Sequence, residues 1–262
     1  MFEMKDISLN YREKSILQNI SLSLSSGDFV TVIGENGCGK STLLRCVAGL
    51  HQLVSGSIMF QQRNLEQWSN KALAKERAFV AQNNQVHFAF LTENLLKLAR
   101  SEQVETDKQS TFLICELAEK LSISHLFGRD VRTLSGGERQ RVFIAKALLQ
   151  LLPSNKQNNH QLAYQNKLLL LDEPTSALDF RFQKAMMDLV QEFCQKGLAV
   201  VCVSHDMNLV LPYANQVVLL AQGRCLAKGE AKDVITTENL FNCFGVTPTL
   251  IPQIGSVPYI TH

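Results

Sequence analysis

Gly34-Glu35-Asn36-Gly37-Cys38-Gly39-Lys40-Ser41-Thr42 stands between an apolar run, Phe29-Val30-Thr31-Val32-Ile33, and Leu43-Leu44-Arg45-Cys46-Val47-Ala48. The order is strand, glycine loop, helix, the context in which the Walker A pattern carries meaning. Glycines let the backbone curl so that successive N–H groups face a polyphosphate, and the helix N-terminus adds its positive dipole end. Lys40 is then expected to reach the β- and γ-phosphates, and the Ser41 hydroxyl to ligate Mg²⁺. The stretch implies a nucleoside triphosphate site.

Working outward, Leu168-Leu169-Leu170-Leu171-Asp172-Glu173 is a continuously apolar strand ending in two carboxylates. Such a strand is buried on both faces, as in a central parallel sheet, and the chemistry of these sheets sits at the strands' carboxyl ends. Asp172 is expected to hold Mg²⁺ and Glu173 to polarise an attacking water as general base. A second buried strand, 198–203, ends in Ser204-His205-Asp206, which brings His205 within reach of a γ-phosphate. Between the two strands, Ser176-Ala177-Leu178-Asp179 forms a tight turn into a helix over 180–194. Leu134-Ser135-Gly136-Gly137-Glu138 opens a helical run over 142–152; Ser135 and Glu138 have the spacing of a capping box, and the turn is also a second anion-binding helix terminus.

Residues 2–33 alternate apolar and polar in short pieces, which suggests an antiparallel sheet ahead of the glycine loop. Tyr11, in the turn between the first two pieces, is either a half-buried turn aromatic or a stacking face for a base. Short strands are expected at 56–60 and 78–81, the latter ending at Gln82. From 83 to about 134 the periodicity becomes helical, over 94–100 and 110–121, and reads as a helical subdomain inserted into the sheet. Residues 86–91 are apolar yet lie in a connection; docking of a partner is favoured over core filling, because loops are normally polar. The Asn- and Gln-rich stretch 153–167 reads as a surface loop, 217–227 as a hairpin, and the proline-bearing tail beyond Val246 as irregular or edge-like.

Composition bounds the rest. With 262 residues, 45% hydrophobic and 19% charged, the chain is long enough for one large α/β domain with a substantial core. A net charge of +2 is too small for nucleic-acid binding by bulk electrostatics. Seven scattered cysteines without a Cys-x-x-Cys pair argue for a reducing compartment and against a zinc site. Neither a signal peptide nor a membrane-spanning run is visible, so a soluble cytoplasmic protein is expected. Cys38, beside Lys40 at a helix N-terminus, is expected to have a lowered pKa and to be reactive toward maleimide unless nucleotide protects it.

Taken together, these residues resemble the ATPase subunit of ABC transporters over nearly the whole chain. The signature run at 134–138 separates that family from other P-loop enzymes. The elements stand in the family's order: Tyr11, glycine loop, Gln82, signature, Asp172-Glu173, the 176–179 turn, His205. The resemblance implies an α/β fold, a P-loop NTPase core with a mostly parallel sheet, an N-terminal antiparallel β subdomain and an α-helical subdomain inserted at about 83–140, in one domain spanning 1–262. It further implies that ATP is held by Tyr11, stacked on adenine, and by Gly34 to Thr42. Gln82 ligates Mg²⁺ and senses a membrane partner. Ser135, Gly136, Gly137 and Asp179 act in trans on the ATP of a second copy, and His205 steadies the γ-phosphate. Glu35 departs from the proline often found there, at a position that does not hold phosphate.

Within the family the chain looks most like the ATPases of importers for iron chelates (siderophores), haem and cobalamin. Residues 64–68, 153–167, 219–223 and 238–240 carry that looser likeness. The partners then implied are a second copy, two membrane permease subunits and a periplasmic or extracellular substrate-binding protein, on the cytoplasmic face of the membrane. The alternatives are a non-transport ABC ATPase of ribosomes or DNA, which usually has tandem cassettes or a coiled-coil insertion, and an exporter motor. A simple P-loop kinase or GTPase is argued against by the signature run.

Overall fold

The structure, a computed structural model, describes residues 1–84, 86–153, 164–253 and 256–261. Its strands and helices follow in the order β1 (Phe2–Tyr11), β2 (Lys14–Leu24), β3 (Phe29–Gly34), α1 (Lys40–Val47), β4 (Ser55–Phe60), β5 (Arg63–Asn64), α2 (Asn70–Glu76) and β6 (Arg77–Val80). Then come α3 (Thr92–Leu98), α4 (Asp107–Lys120), α5 (Gly136–Leu151), β7 (Leu168–Asp172), α6 (Phe180–Gln195), β8 (Ala199–Val203) and α7 (Met207–Val210). The chain closes with β9 (Gln216–Ala221), β10 (Arg224–Gly229), α8 (Ala231–Val234), α9 (Thr237–Phe244), β11 (Thr249–Gln253) and β12 (Ser256–Thr261).

Six strands form the central sheet, in the order β10-β9-β3-β8-β7-β6. All its pairings are parallel except β10 with β9. The fully apolar strands are the central ones because both of their faces are covered. Side chains alternate between faces: Leu169 and Leu171 pack with α5 and α6, while Leu168 and Leu170 pack with α1 and the N-terminal sheet. That N-terminal sheet is antiparallel, in the order β2-β1-β4-β5, and its inward residues Phe2, Met4, Ile7 and Leu9 are buried. The α/β class, with a parallel-rich sheet and an antiparallel β unit, is thus as the sequence predicts.

Helices α3 and α4 pack on α5 rather than on the sheet edge. The chain entering α3 and the chain leaving α4 are stitched together: Leu91 bridges Asp130, and Val131 N–H donates to Phe90 O at 2.9 Å. Helix α5 then returns to the sheet, and Arg100, almost wholly buried, closes its far end. Its Nη1 donates to Leu149 O at 2.6 Å and Leu152 O at 2.5 Å, while Glu105 balances the charge. Breaking such a buried pair on one side costs about 3–5 kcal/mol, so the helical insertion is tied to α5 by electrostatics as well as by packing.

Helix α5 begins at Gly136, directly after the Ser135 cap that the sequence indicates and ahead of the apolar run at 142–152, so both signature glycines lie in its first turn. The tail beyond Val246, irregular or edge-like in the sequence, forms a two-stranded antiparallel sheet of its own, β11 with β12, with Leu250 opposite Ile260. Helices α8 and α9, which the sequence reading passes over, cover β9 through Val234 and Leu240. Of the 153–167 stretch, 154–163 lie outside the described residues; Tyr164 is buried against Phe193, edge to face at 4.9 Å. Among the described residues no helix is long and apolar enough to cross a membrane.

Candidate active site

The glycine loop crosses from β3 to α1 with little room. A side chain at Gly34 would meet Leu220 O at 2.1 Å, so only glycine lets the backbone pass there. Gly39 caps α1 with φ +109°, no side chain caps the helix, and its first turn contains no acid. Lys40 is the first helical residue and 5% exposed. Its ammonium donates to the loop's own carbonyls, Gly34 O at 2.7 Å and Glu35 O at 2.8 Å. An uncapped helix terminus with a buried cation above it is a place for a multiply charged anion.

Ser41 follows, its hydroxyl donating to Asp172 Oδ1 at 3.0 Å. Asp172 is buried, and that burial pushes its carboxyl above the usual range, against the opposing hydrogen bond from Ser41. A buried carboxylate with a raised proton affinity is well placed to be neutralised by a divalent cation. The neighbouring donors, Ser41 Oγ and the Gln82 amide oxygen, form the hard oxygen set that suits Mg²⁺. The residues therefore fit both groups: a triphosphate over the loop and Mg²⁺ beside Ser41, Asp172 and Gln82.

Glu173 lies just beyond β7 in a left-handed conformation, φ +50°, which a non-glycine residue adopts at a cost. Its N–H is paired with Val203 O at 2.9 Å. Its carboxylate is held on both sides, by His205 Nε2 at 2.5 Å from Oε1 and by Gln82 Nε2 donating to Oε2 at 2.7 Å. Each carboxylate oxygen offers two lone pairs, so Glu173 can keep both donors and still accept a proton from water. Gln82 ends the β6 edge and His205 the β8 edge, so the parallel order β8-β7-β6 puts them on either flank of Glu173.

One cleft of about 480 Å³ gathers Asn36, Gly37, Gly39, Lys40, Ser41, Thr42, Gln82, Glu173 and His205. Ile16 also lines it, an apolar wall on β2 that the sequence reading missed; its alternation with Leu17 was the available signal, since Leu17 is wholly buried. Tyr11 ends β1 and is 68% exposed, with the Arg12 guanidinium 5.8 Å from its ring centre. It is not the half-buried turn aromatic that one reading allows, and it does not line the cleft.

Cys38 is a correction. Its side chain turns inward, 8% exposed, toward Gly34. Burial raises its thiol pKa, and the lowering influence of Lys40 is the smaller effect. A neutral, enclosed thiol is a poor nucleophile.

Ser135, Gly136, Gly137 and Asp179 do not line the cleft. Ser135 Oγ accepts from Glu138 N at 3.3 Å and Glu138 Oε2 accepts from Ser135 N at 2.8 Å, the reciprocal capping box. Asp179 caps α6 by accepting from Phe182 N at 3.1 Å. The two turns touch each other: a methyl group at Gly137 would lie 2.8 Å from Ala177 O.

With this geometry in hand, comparison with known proteins is informative. The ABC transporter family model matches residues 17–153. A hemin import ATP-binding protein of Photobacterium damselae subsp. damselae is 35% identical over 240 residues, covering 92% of this chain and 87% of that protein. A hemin import ATP-binding protein of Pseudomonas aeruginosa is 33% identical, covering 94% of this chain and 93% of its own. Among solved structures, an ABC transporter assigned to the metal-chelate type, in an inward-facing conformation, superposes with a TM-score of 0.77 at 26% identity, covering 99% of this chain and 95% of that one. The chain belongs to the ABC transporter family, and it is an ATPase of the ATP-binding cassette kind.

Proposed function

We infer that this ATPase is the motor subunit of an importer that takes up a metal-chelate nutrient, with haem favoured over a ferric siderophore or cobalamin. Support for haem comes from the hemin-import relatives at 33–35% identity; the metal-chelate type of the structural neighbour supports the broader class. The observation that carries the catalytic reading is Glu173 held between Gln82 and His205, opposite Lys40 and the uncapped end of α1.

Lys40 and the loop N–H groups bind the β- and γ-phosphates, and Tyr11 offers its exposed ring to the adenine. Ser41, Gln82 and, through water, Asp172 hold Mg²⁺, which supplies charge neutralisation when bound. Glu173 takes the proton of the attacking water, and His205 orients the γ-phosphate. Ser135, Gly136, Gly137 and Asp179 serve the ATP of a second copy, which accounts for their lying away from this chain's own cleft. The helical subdomain at about 83–140 meets a pair of membrane permeases through residues 86–91. There Phe88 is 75% exposed, while Val86 and Phe90 pack inward and stiffen the loop. A binding protein outside the membrane completes the importer, and the chain sits peripherally on the cytoplasmic face.

Glu173→Gln tests this reading: ATP binding persists, turnover is lost, and an ATP-dependent dimer is trapped on size exclusion. Full ATPase activity in that variant would refute Glu173 as the base. Co-purified permease in liposomes, challenged with haem, cobalamin or a ferric siderophore and the corresponding binding proteins, identifies the cargo by which one stimulates hydrolysis.

A further inference from the structure

The hydrogen bonds around Glu173 extend beyond the cleft. We propose that Gln140, in the second turn of α5, is a positioning residue that keeps Gln82 on Glu173, so that the attitude of the base follows the position of α5. The inference rests on the reading of Glu173 as general base and deepens it. Its ground is a closed ring. Gln82 Nε2 donates to Glu173 Oε2 at 2.7 Å, and the carbonyl of the next residue, Pro174, accepts from Gln140 Nε2 at 3.2 Å. Gln140 Oε1 accepts from Asn84 Nδ2 at 3.1 Å, and Asn84 Nδ2 also donates to Ala81 O at 2.9 Å, one residue before Gln82.

Chemistry sets the direction of every bond in this ring. The two backbone carbonyls can only accept, so Gln140 turns its NH₂ to Pro174 and its oxygen to Asn84, and Asn84 turns its NH₂ inward. Neither amide can flip without setting oxygen against oxygen. Gln140 is 5% exposed, and a buried polar group left unpaired costs about 1–3 kcal/mol, so the ring holds or breaks as a unit. It also steadies the strained backbone of Glu173: Val203 O takes the N–H before the turn, and Gln140 takes the carbonyl after it.

The neighbouring residue links the ring to the helical insertion. Arg141 Nη1 donates to Leu121 O at 2.8 Å and Ser122 O at 2.7 Å, where α4 ends. Its guanidinium lies 3.9 Å from the ring centre of Phe182 on α6. Displacement of α4 therefore reaches Gln140 through one residue of α5, and from Gln140 it reaches both the Gln82 segment and the peptide behind Glu173.

Asn84→Ala, Gln140→Met and the double variant are compared with the unaltered full chain in steady-state ATPase assays and thermal melts, with Glu173→Gln as control. Each single variant is expected to lower kcat about tenfold while KM for ATP changes by less than about twofold. The double variant is expected to be no slower than the slower single one, because both substitutions open the same ring. An unchanged kcat in a folded single variant, a loss carried by KM, or losses that multiply in the double variant would overturn the proposal, whatever happens to Tm. Should Gln140→Met not fold, Asn84→Ala decides alone through the split between kcat and KM. Wild-type turnover in Glu173→Gln would remove the underlying reading of the base. An inactive Glu173→Gln beside a fully active Asn84→Ala would remove only the positioning role.

Discussion

Two glycine turns open helices in this protein, and they are built in opposite ways. Helix α1 starts at Gly39 without a side-chain cap and without an acid in its first turn, and its first residue is a buried lysine. Helix α5 starts at Ser135 with a reciprocal capping box, and Glu138 supplies the negative charge its N-terminus favours. A helix N-terminus is electropositive, so α1 breaks the local rule twice and α5 obeys it twice. The difference separates a terminus left for an outside anion from one already complete within the chain. At the signature turn the Ser135 hydroxyl spends only its lone pairs on Glu138 and keeps a proton to donate, which the proposed contact with the phosphate of a second copy would require.

The contrast can be broken at three places. Lys40→Ala has the largest effect: without its cation the bare α1 terminus is expected to lose ATP affinity by about a hundredfold, measured by calorimetry, with Tm little changed. Retained affinity would mean that the helix terminus alone holds the phosphates. Next comes the signature turn, where packing rather than charge distinguishes two adjacent glycines. Gly137→Ala drives a methyl group to 2.8 Å from Ala177 O, whereas at Gly136 the nearest atom is 3.7 Å away. Gly137→Ala should therefore lower Tm by about 5 °C and Gly136→Ala by about 1 °C or less. Equal losses would show that the contact between the two turns is loose.

The smallest effect concerns charge at the α5 cap. Glu138 has its pKa held below the ordinary 4.5, first by the Ser135 backbone N–H and further by Arg129. A carboxylate with a depressed folded-state pKa contributes stability that is present above the unfolded value and lost as pH falls through the folded one. Glu138 is half-buried but its cationic partner Arg129 is exposed, so the charge contribution is screened and small: Glu138→Gln should lower Tm by about 1 °C at neutral pH, and the gap to the unaltered chain should close as pH falls below about 4.5. A gap independent of pH would assign the cap to hydrogen bonding without charge.

Much of this was legible before any coordinates. The runs at 168–172 and 199–203 are apolar at every position but the last carboxylate, and they occupy the middle of the sheet. The capping box reads directly from Ser135 and Glu138, because a cap depends on residues three apart. The apolar helical pattern of α5 is legible only from 142, because Gly136 and Gly137 have low helix propensity, which cap and packing override. Cys38 differs from its sequence expectation for another reason. Proximity to Lys40 along the chain suggests a thiol that feels its charge, whereas the thiol turns into the fold and burial prevails. Ile16, Asn84 and Gln140 carry no motif of their own and gain meaning only from the residues the fold brings beside them.

Read alone, the chain already specified a glycine loop between strand and helix, candidate residues for a hydrolytic centre and the order that marks the ABC family, because strand–loop–helix geometry and capping are local. Which groups meet was left to the folded sheet. The parallel order β8-β7-β6 sets His205, Glu173 and Gln82 side by side although they are separated by up to 123 residues, 205 minus 82. The same fold leaves Ser135 and Asp179 outside the cleft. The physical reason is that hydrogen bonding between strands, unlike capping, is indifferent to distance along the chain.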